Sequence, residues 1–185
     1  MKNKKNGFTL AEVLITLGII GVVAAITLPT LMQDSSKQQL GVKLAKFQSN
    51  LEKITRAAAV EGNLSKDDVC KLLEEELIFD GTYNNKCDGA SGSGIVTLRD
   101  NTMFAVENKN ANVMDGTPSK MGTAVAQIHF IPEISGLRGI GPIHFLFAVT
   151  DKGFVVPDSS DECLIEIFKA KYKASKVYGK DKCVK

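Results

Sequence analysis

The feature that most constrains this chain is an apolar run from Val13 to Met32 that contains no charged side chain. A helix of roughly 20 apolar residues is what crossing the hydrocarbon core of a bilayer requires. Three lysines precede the run, Lys2, Lys4 and Lys5, and no further basic residue follows until Lys37. Because positive flanks tend to stay in the cytoplasm, this asymmetry predicts a single-pass chain with a cytoplasmic N-terminus and its C-terminus outside the cytoplasm.

Glu12 is the anomaly of this segment, because it places a carboxyl group directly in front of the apolar run. A carboxylate at membrane depth costs about 2.5–3.5 kcal/mol, so Glu12 is expected to have a partner. Cleavage of the chain between Gly7 and Phe8 would supply one, since it frees the α-ammonium group of Phe8. Such a cut is thus one way to give the Glu12 carboxylate an opposite charge.

The residues around this cut form a recognisable block. Lys4-Lys5-Asn6-Gly7 precede it, Phe8-Thr9-Leu10 follow it, and Glu12 then becomes the fifth residue of the mature chain. With these residues the N-terminus resembles the leader and first helix of type IV pilins and type II secretion pseudopilins. Pro29 falls where that family carries a helix-kinking proline.

The resemblance implies a structural subunit and no enzymatic activity. It implies cleavage after Gly7 by a prepilin peptidase that also N-methylates Phe8, and assembly in which Glu12 faces the amine of a neighbouring Phe8. The partners would be other pilin or pseudopilin subunits and an inner-membrane assembly platform. The chain would start in the inner membrane and end in a pilus or pseudopilus, as a minor subunit. The alternative is a minor-pilin binding module whose head recognises a surface, DNA or a secreted substrate.

Two simpler interpretations of the N-terminus compete with this one. An ordinary signal peptide could be cut after Val23-Ala24-Ala25, which would leave Ile26 as the first residue, although Glu12 would then interrupt its apolar segment. A plain membrane anchor would keep the leader intact and would leave Glu12 unexplained. The identity of the first residue of the mature chain separates the three.

The chain divides into three parts on this interpretation. Residues 1–7 are the leader, 8–31 the transmembrane and assembly helix, and 32–185 an amphipathic continuation with an extracytoplasmic head large enough for a single core. The formal charge of +2 includes the three leader lysines, so the mature chain is expected near −1. A net charge near −1 gives no sign of the excess of basic residues that binding to nucleic acid requires.

Four cysteines lie on the side where disulfides are stable: Cys70, Cys87, Cys163 and Cys183. Four cysteines allow three connectivities, which sequence alone does not resolve. We favour Cys70–Cys87 and Cys163–Cys183, because each closes a local loop. Pilins often carry a disulfide-bounded C-terminal region, and 163–183 is similar to it. The spacings are too wide for a CxxC zinc site, and neither histidine lies near a cysteine in sequence.

The remaining pattern predicts an α+β fold. Residues 8–61 form one long helix whose second half carries an apolar stripe at steps of three and four, including Leu40, Leu44, Phe47 and Leu51. Further helices are predicted at 65–78 and 161–176, with strands at 95–99, 102–107, 124–131, 143–150 and 154–157. These strands should form a small antiparallel sheet that packs one face on the second half of the long helix.

No catalytic residues and no cofactor are predicted. His129 and His144 lie between apolar neighbours on strands, so their rings are expected to face away from the core as structural side chains. Residues 133–139 are similar to a degraded calcium loop of pilin-like proteins, with Glu133 in place of Asp and Ser135 in place of Asn. These replacements leave fewer suitable oxygen ligands, so a turn is favoured over a calcium site.

Overall fold

The computed structural model describes residues 7–76, 95–97, 102–107, 112–134, 137, 141 and 143–184. In chain order they form helix α1 (Leu10–Ala59), helix α2 (Lys66–Glu76), strands β1 (Ile95–Thr97), β2 (Met103–Glu107), β3 (Ala124–Ile131), β4 (Phe145–Thr150) and β5 (Val155–Pro157), and helix α3 (Glu162–Lys169). The predicted α+β class is confirmed.

Helix α1 runs for 50 residues and has two halves of different character. The apolar half is exposed along its length, and the helix continues through Pro29. In the second half one side is buried, at Ser36, Leu40, Gly41, Leu44, Phe47, Leu51 and Thr55. These positions recur every three or four residues, which is the period of one helix face. The predicted amphipathic stripe is therefore present.

The five strands form one antiparallel sheet in the order β1-β2-β3-β4-β5, so each strand pairs with its neighbour in sequence. Phe104 of β2 pairs with Phe130 of β3, which in turn pairs with Phe145 of β4. Alternate residues of a strand point to opposite faces of the sheet, and these strands direct their large apolar side chains toward α1. The paired phenylalanines are all buried.

The core lies between this sheet face and the second half of α1. The ring of Phe47 stacks on that of Phe130 with centroids 4.0 Å apart and lies 5.6 Å from the Phe147 ring. At the far end of the helix, the hydroxyl of Thr55 donates a hydrogen bond to the Gly153 carbonyl at 2.7 Å. Aromatic packing and this buried hydrogen bond fix the sheet against α1.

Helix α2 begins where the sequence predicts, with Ser65 as its cap. The Asp68 amide donates to the Ser65 hydroxyl at 3.3 Å, and the Ser65 amide donates to the Asp68 carboxylate at 2.8 Å. Val69 and Leu73 of α2 are buried in the main core. The predicted end of this helix at residue 78 lies outside the described residues.

The tail helix is shorter than predicted, and the expected end at Lys176 is wrong. Helix α3 stops at Lys169, and Lys171 and Tyr172 then adopt left-handed backbone angles with φ of 53° and 59°. The chain continues as two short 3₁₀ turns, at Ala174–Lys176 and Asp181–Cys183. Strand β4 begins at Phe145, two residues later than predicted, so Ile143 and His144 lie outside the sheet and are exposed.

Candidate functional site

The bond between Gly7 and Phe8 lies in the irregular segment just before α1. The Phe8 side chain is 89% exposed. A Cβ atom added to Gly7 would meet no atom within 4 Å, so nothing in the described chain crowds this position. The predicted cleavage site is thus sterically open.

Thr9 and Glu12 form a reciprocal cap at the start of α1. The amide and the hydroxyl of Thr9 both donate to one Glu12 carboxylate oxygen, Oε2, each at 2.8 Å. The Glu12 amide donates back to the Thr9 hydroxyl at 3.3 Å. This arrangement is a capping box, which satisfies backbone donors that a helix start leaves without partners.

The cap gives Glu12 a partner inside its own chain that was not predicted from the sequence. The Thr-x-x-Glu spacing of Thr9 and Glu12 was the available signal. The bonds are charge-assisted, and no ion pair to Glu12 occurs among the described residues. The two hydrogen bonds therefore hold the carboxyl group on the first turn of α1.

Within the described chain, α1 is the one helix long and apolar enough to cross a membrane, judged by length and composition. None of its most apolar window is buried inside the molecule. Its polar side chains bond back to their own helix: the hydroxyls of Thr16, Thr27 and Thr30 donate to backbone carbonyls three or four residues earlier, at 2.8–2.9 Å. The apolar half thus presents an almost entirely apolar surface. A kink at Pro29 remains a prediction.

The rings of the two histidines lie side by side. His129 is on β3 between the buried Ile128 and Phe130, whereas His144 precedes β4 and is not on a strand as predicted. The ring centroids of His129 and His144 are 6.1 Å apart, with His144 exposed and His129 half-buried. The nearby Asp161 caps α3 by accepting from the Leu164 amide at 2.8 Å, and burial raises the pKa of its carboxyl group. Across the described ranges, no three His, Cys, Asp or Glu side chains come together as metal ligands.

The remaining predicted site residues have different outcomes. The Cys163–Cys183 disulfide is present and joins the start of α3 to the second 3₁₀ turn. Cys70 lies on α2, whereas Cys87 is outside the described residues, so their pairing stays a prediction. Ser135 of the possible calcium loop is also outside them. The Glu133 backbone carbonyl accepts from the Lys43 ammonium group at 2.8 Å.

Comparison with known proteins bears on the N-terminus. Residues 2–28 match the family model of the prokaryotic N-terminal methylation motif. No curated protein and no solved structure matches the chain. The matched segment contains the open Gly7–Phe8 bond, the Thr9–Glu12 cap and most of the apolar half of α1.

Proposed function

From the type IV pilin and pseudopilin signature at residues 2–28, we propose that this chain is a structural subunit of a pilus or secretion pseudopilus. It is made as a membrane precursor, cleaved after Gly7, methylated on the amine of Phe8 and assembled through α1. The observation that carries the proposal is the position of the motif: it begins a 50-residue helix whose most apolar window is not buried by any described part of the chain.

The exposed apolar half of α1 supports the membrane stage. Large side chains such as Leu14, Ile20 and Ile26 are 61–69% exposed. Exposed apolar area is unfavourable in water by roughly 25 cal/mol per Å², so this surface requires lipid or the helices of other copies. Both environments occur in the proposed sequence of events, first the bilayer and then the filament core. The head then lies outside the cytoplasm.

Glu12 supports the assembly stage. In a core built from apolar helices its carboxylate requires an opposite charge, because an unpaired buried charge is strongly unfavourable. Processing after Gly7 creates such a charge on Phe8 of an incoming copy. The cap from Thr9 fixes the Glu12 side chain on the first turn of α1, close in sequence to the new N-terminus.

We further propose a minor subunit. The support is the replacement of the Asp and Asn of the pilin-like calcium loop by Glu133 and Ser135, since that loop is associated with the major pseudopilin branch. The choice between a pilus and a secretion pseudopilus follows from the machinery that assembles the subunit. Co-purification of the processed chain with one assembly platform identifies it.

Variants of Glu12 test assembly separately from processing. Glu12→Ala should leave the precursor cleavable but strongly reduce its fraction in sheared filaments. Asp34→Ala is the matched control, because Asp34 is an exposed acid on the same helix beyond the apolar run. Incorporation of Glu12→Ala at the level of the control would contradict the proposal.

Gly7→Ile tests the cleavage site. Since a Cβ atom at this position would meet no atom within 4 Å in the described chain, the substitution should leave α1 and the head unchanged. Uncleaved, membrane-bound precursor is therefore the expected product, detected by its mass. Normal cleavage of this variant would place the processing site elsewhere.

A further inference from the structure

In the part of the C-terminal segment that the structure describes, six lysines are exposed. They are Lys169, Lys171, Lys173, Lys176, Lys180 and Lys182, and we call them the C-terminal lysine surface. Asp181 is the one acid between the first and the last of them. Lys169 and Lys182 each lie within 3.5 Å of a glutamate of α3, whereas no acid in the described chain is within ion-pair distance of the other four. The surface therefore carries excess positive charge that the net charge of the chain conceals.

Packing against α1 holds this segment close to the apolar half of the helix. A Cβ atom on Gly41 would lie 1.9 Å from the Tyr172 carbonyl oxygen and 3.3 Å from the Ala174 amide, so the turn touches the helix backbone directly. The Tyr172 hydroxyl donates to the side-chain oxygen of Gln48. The Cys163–Cys183 disulfide closes the segment covalently. The lysines are thus carried by a fixed part of the head.

The distance from this segment to a bilayer follows from helix geometry. Gly41 comes nine residues after Met32, the end of the uncharged run, which is about 14 Å along the axis. A headgroup layer is roughly 5–7 Å thick on each side, so the turn lies about 8 Å beyond it. That distance is comparable with the Debye length of about 8–10 Å at physiological salt, so charges on this segment and on the headgroups can interact.

We propose that the C-terminal lysine surface binds the anionic headgroups of phospholipids in the leaflet from which the head emerges. The contact would orient the head on the membrane while the subunit awaits assembly. The proposal rests on one part of the proposed function, the placement of α1 across a bilayer, and needs neither cleavage nor filament formation. An uncleaved precursor can therefore test it.

The aromatic side chains of the segment favour a lipid over a single-stranded nucleic acid. Stacking of bases requires exposed rings. Tyr178 is 1% exposed, and the rings of Phe168 and Tyr172 are half-buried and pack edge to face with centroids 5.8 Å apart. The surface thus offers charge without a stacking platform, which suits phosphate headgroups.

Amine labelling of the full-length precursor in nanodiscs tests the proposal. The precursor is placed in discs of zwitterionic phosphatidylcholine or of the same lipid with phosphatidylglycerol added, and lysine labelling rates are read by mass spectrometry. Lys173, Lys176 and Lys180 should label about fivefold more slowly in the anionic discs, and high salt should remove the difference. Lys152 is an internal control: its neighbour Gly153 packs on Thr55, about 35 Å along α1 from Met32.

Two outcomes overturn the proposal. Equal labelling of the three lysines in both kinds of disc would show that anionic lipid does not engage them. Protection of the same lysines by duplex DNA in zwitterionic discs, without protection by anionic lipid, would assign the surface to a nucleic acid. As a matched check, the triple variant K173Q/K176Q/K180Q should retain less phosphatidylglycerol in native mass spectra than K53Q/K120Q/K152Q, whose three substituted lysines are also exposed.

Discussion

The carbonyl of Tyr172 lies directly against Gly41 of α1, where a Cβ atom would approach the carbonyl oxygen to 1.9 Å. Both groups are backbone, so neither can move aside as a side chain would. The contact joins the C-terminal segment to the long helix. Helix α3 ends at Lys169 because the chain must turn at Lys171 and Tyr172 to reach α1.

Gly41→Ala should destabilise the head by about 1–3 kcal/mol, because the added methyl group separates the turn from the helix. Urea unfolding of the detergent-solubilised precursor, followed by circular dichroism, measures the change. Gly62→Ala is the control, since its Cβ would meet no atom within 4 Å, and it should change the free energy of unfolding by less than about 0.5 kcal/mol. Equal stability of the two variants would refute the contact.

Removal of the Cys163–Cys183 disulfide should also weaken the head. The bond closes a loop with a sequence separation of 20, for which chain entropy predicts a loss of about 3 kcal/mol. The double variant C163A/C183A, with Cys70 and Cys87 left in place, should unfold at lower urea concentration than the parent chain. Unchanged stability would mean that the bond does not restrain the unfolded chain.

Asp158 should make the head sensitive to acid. Burial disfavours its charged form, but hydrogen bonds from Ser160, Gln127 and Asn112 outweigh that effect and hold the pKa of its carboxyl group below the ordinary value. Its stabilisation is therefore complete above the unfolded-state pKa near 4 and is lost as the pH falls through the lower folded-state pKa.

The variant Asp158→Asn should lower the free energy of unfolding at neutral pH by about 1.5–3 kcal/mol and flatten its decline in acid. Urea unfolding at a series of pH values measures both effects. Asp115→Asn, at an exposed position, is the control. If the free energy of unfolding falls as steeply with decreasing pH in Asp158→Asn as in the control, the acid sensitivity belongs to other groups.

The cap on α1 predicts a local effect of Thr9→Val. Loss of the hydroxyl removes the acceptor of the Glu12 amide and one of the two donors to the Glu12 carboxylate. A lost N-cap typically costs about 1 kcal/mol, so exchange of the Glu12 amide hydrogen should become about fivefold faster. Thr9→Ser keeps the hydroxyl and should exchange at the parent rate. Equal exchange in the valine and serine variants would show that the cap does not form in the membrane-bound chain.

Local pattern sufficed to predict much of this fold. The stripe through Leu40, Leu44, Phe47 and Leu51 predicted the buried side of α1, and alternation predicted the strands to within a few residues. The Cys163–Cys183 bond could be favoured because its loop is short. Each of these features depends on residues close together in sequence.

The features of the fold that were not predicted depend on contacts between residues far apart in sequence. Nothing near Tyr172 indicates a helix end, since neither Lys171 nor Tyr172 is a residue type that favours left-handed angles; the turn is set by Gly41, far away in sequence. The C-terminal lysine surface was not predicted, because the net charge of a chain does not show where along it the charges are concentrated. The Thr9–Glu12 cap, in contrast, has a local signature that could have been predicted.

The central claim is that processing exposes the ammonium group of Phe8 so that it can pair with Glu12 of an adjoining copy. Mass analysis of the N-terminal peptide of the native, assembled protein tests this most directly. The account predicts a peptide that begins at Phe8 and is one methyl group heavier than its sequence. A peptide that begins at Met1 with the leader intact, or at Ile26, would contradict it.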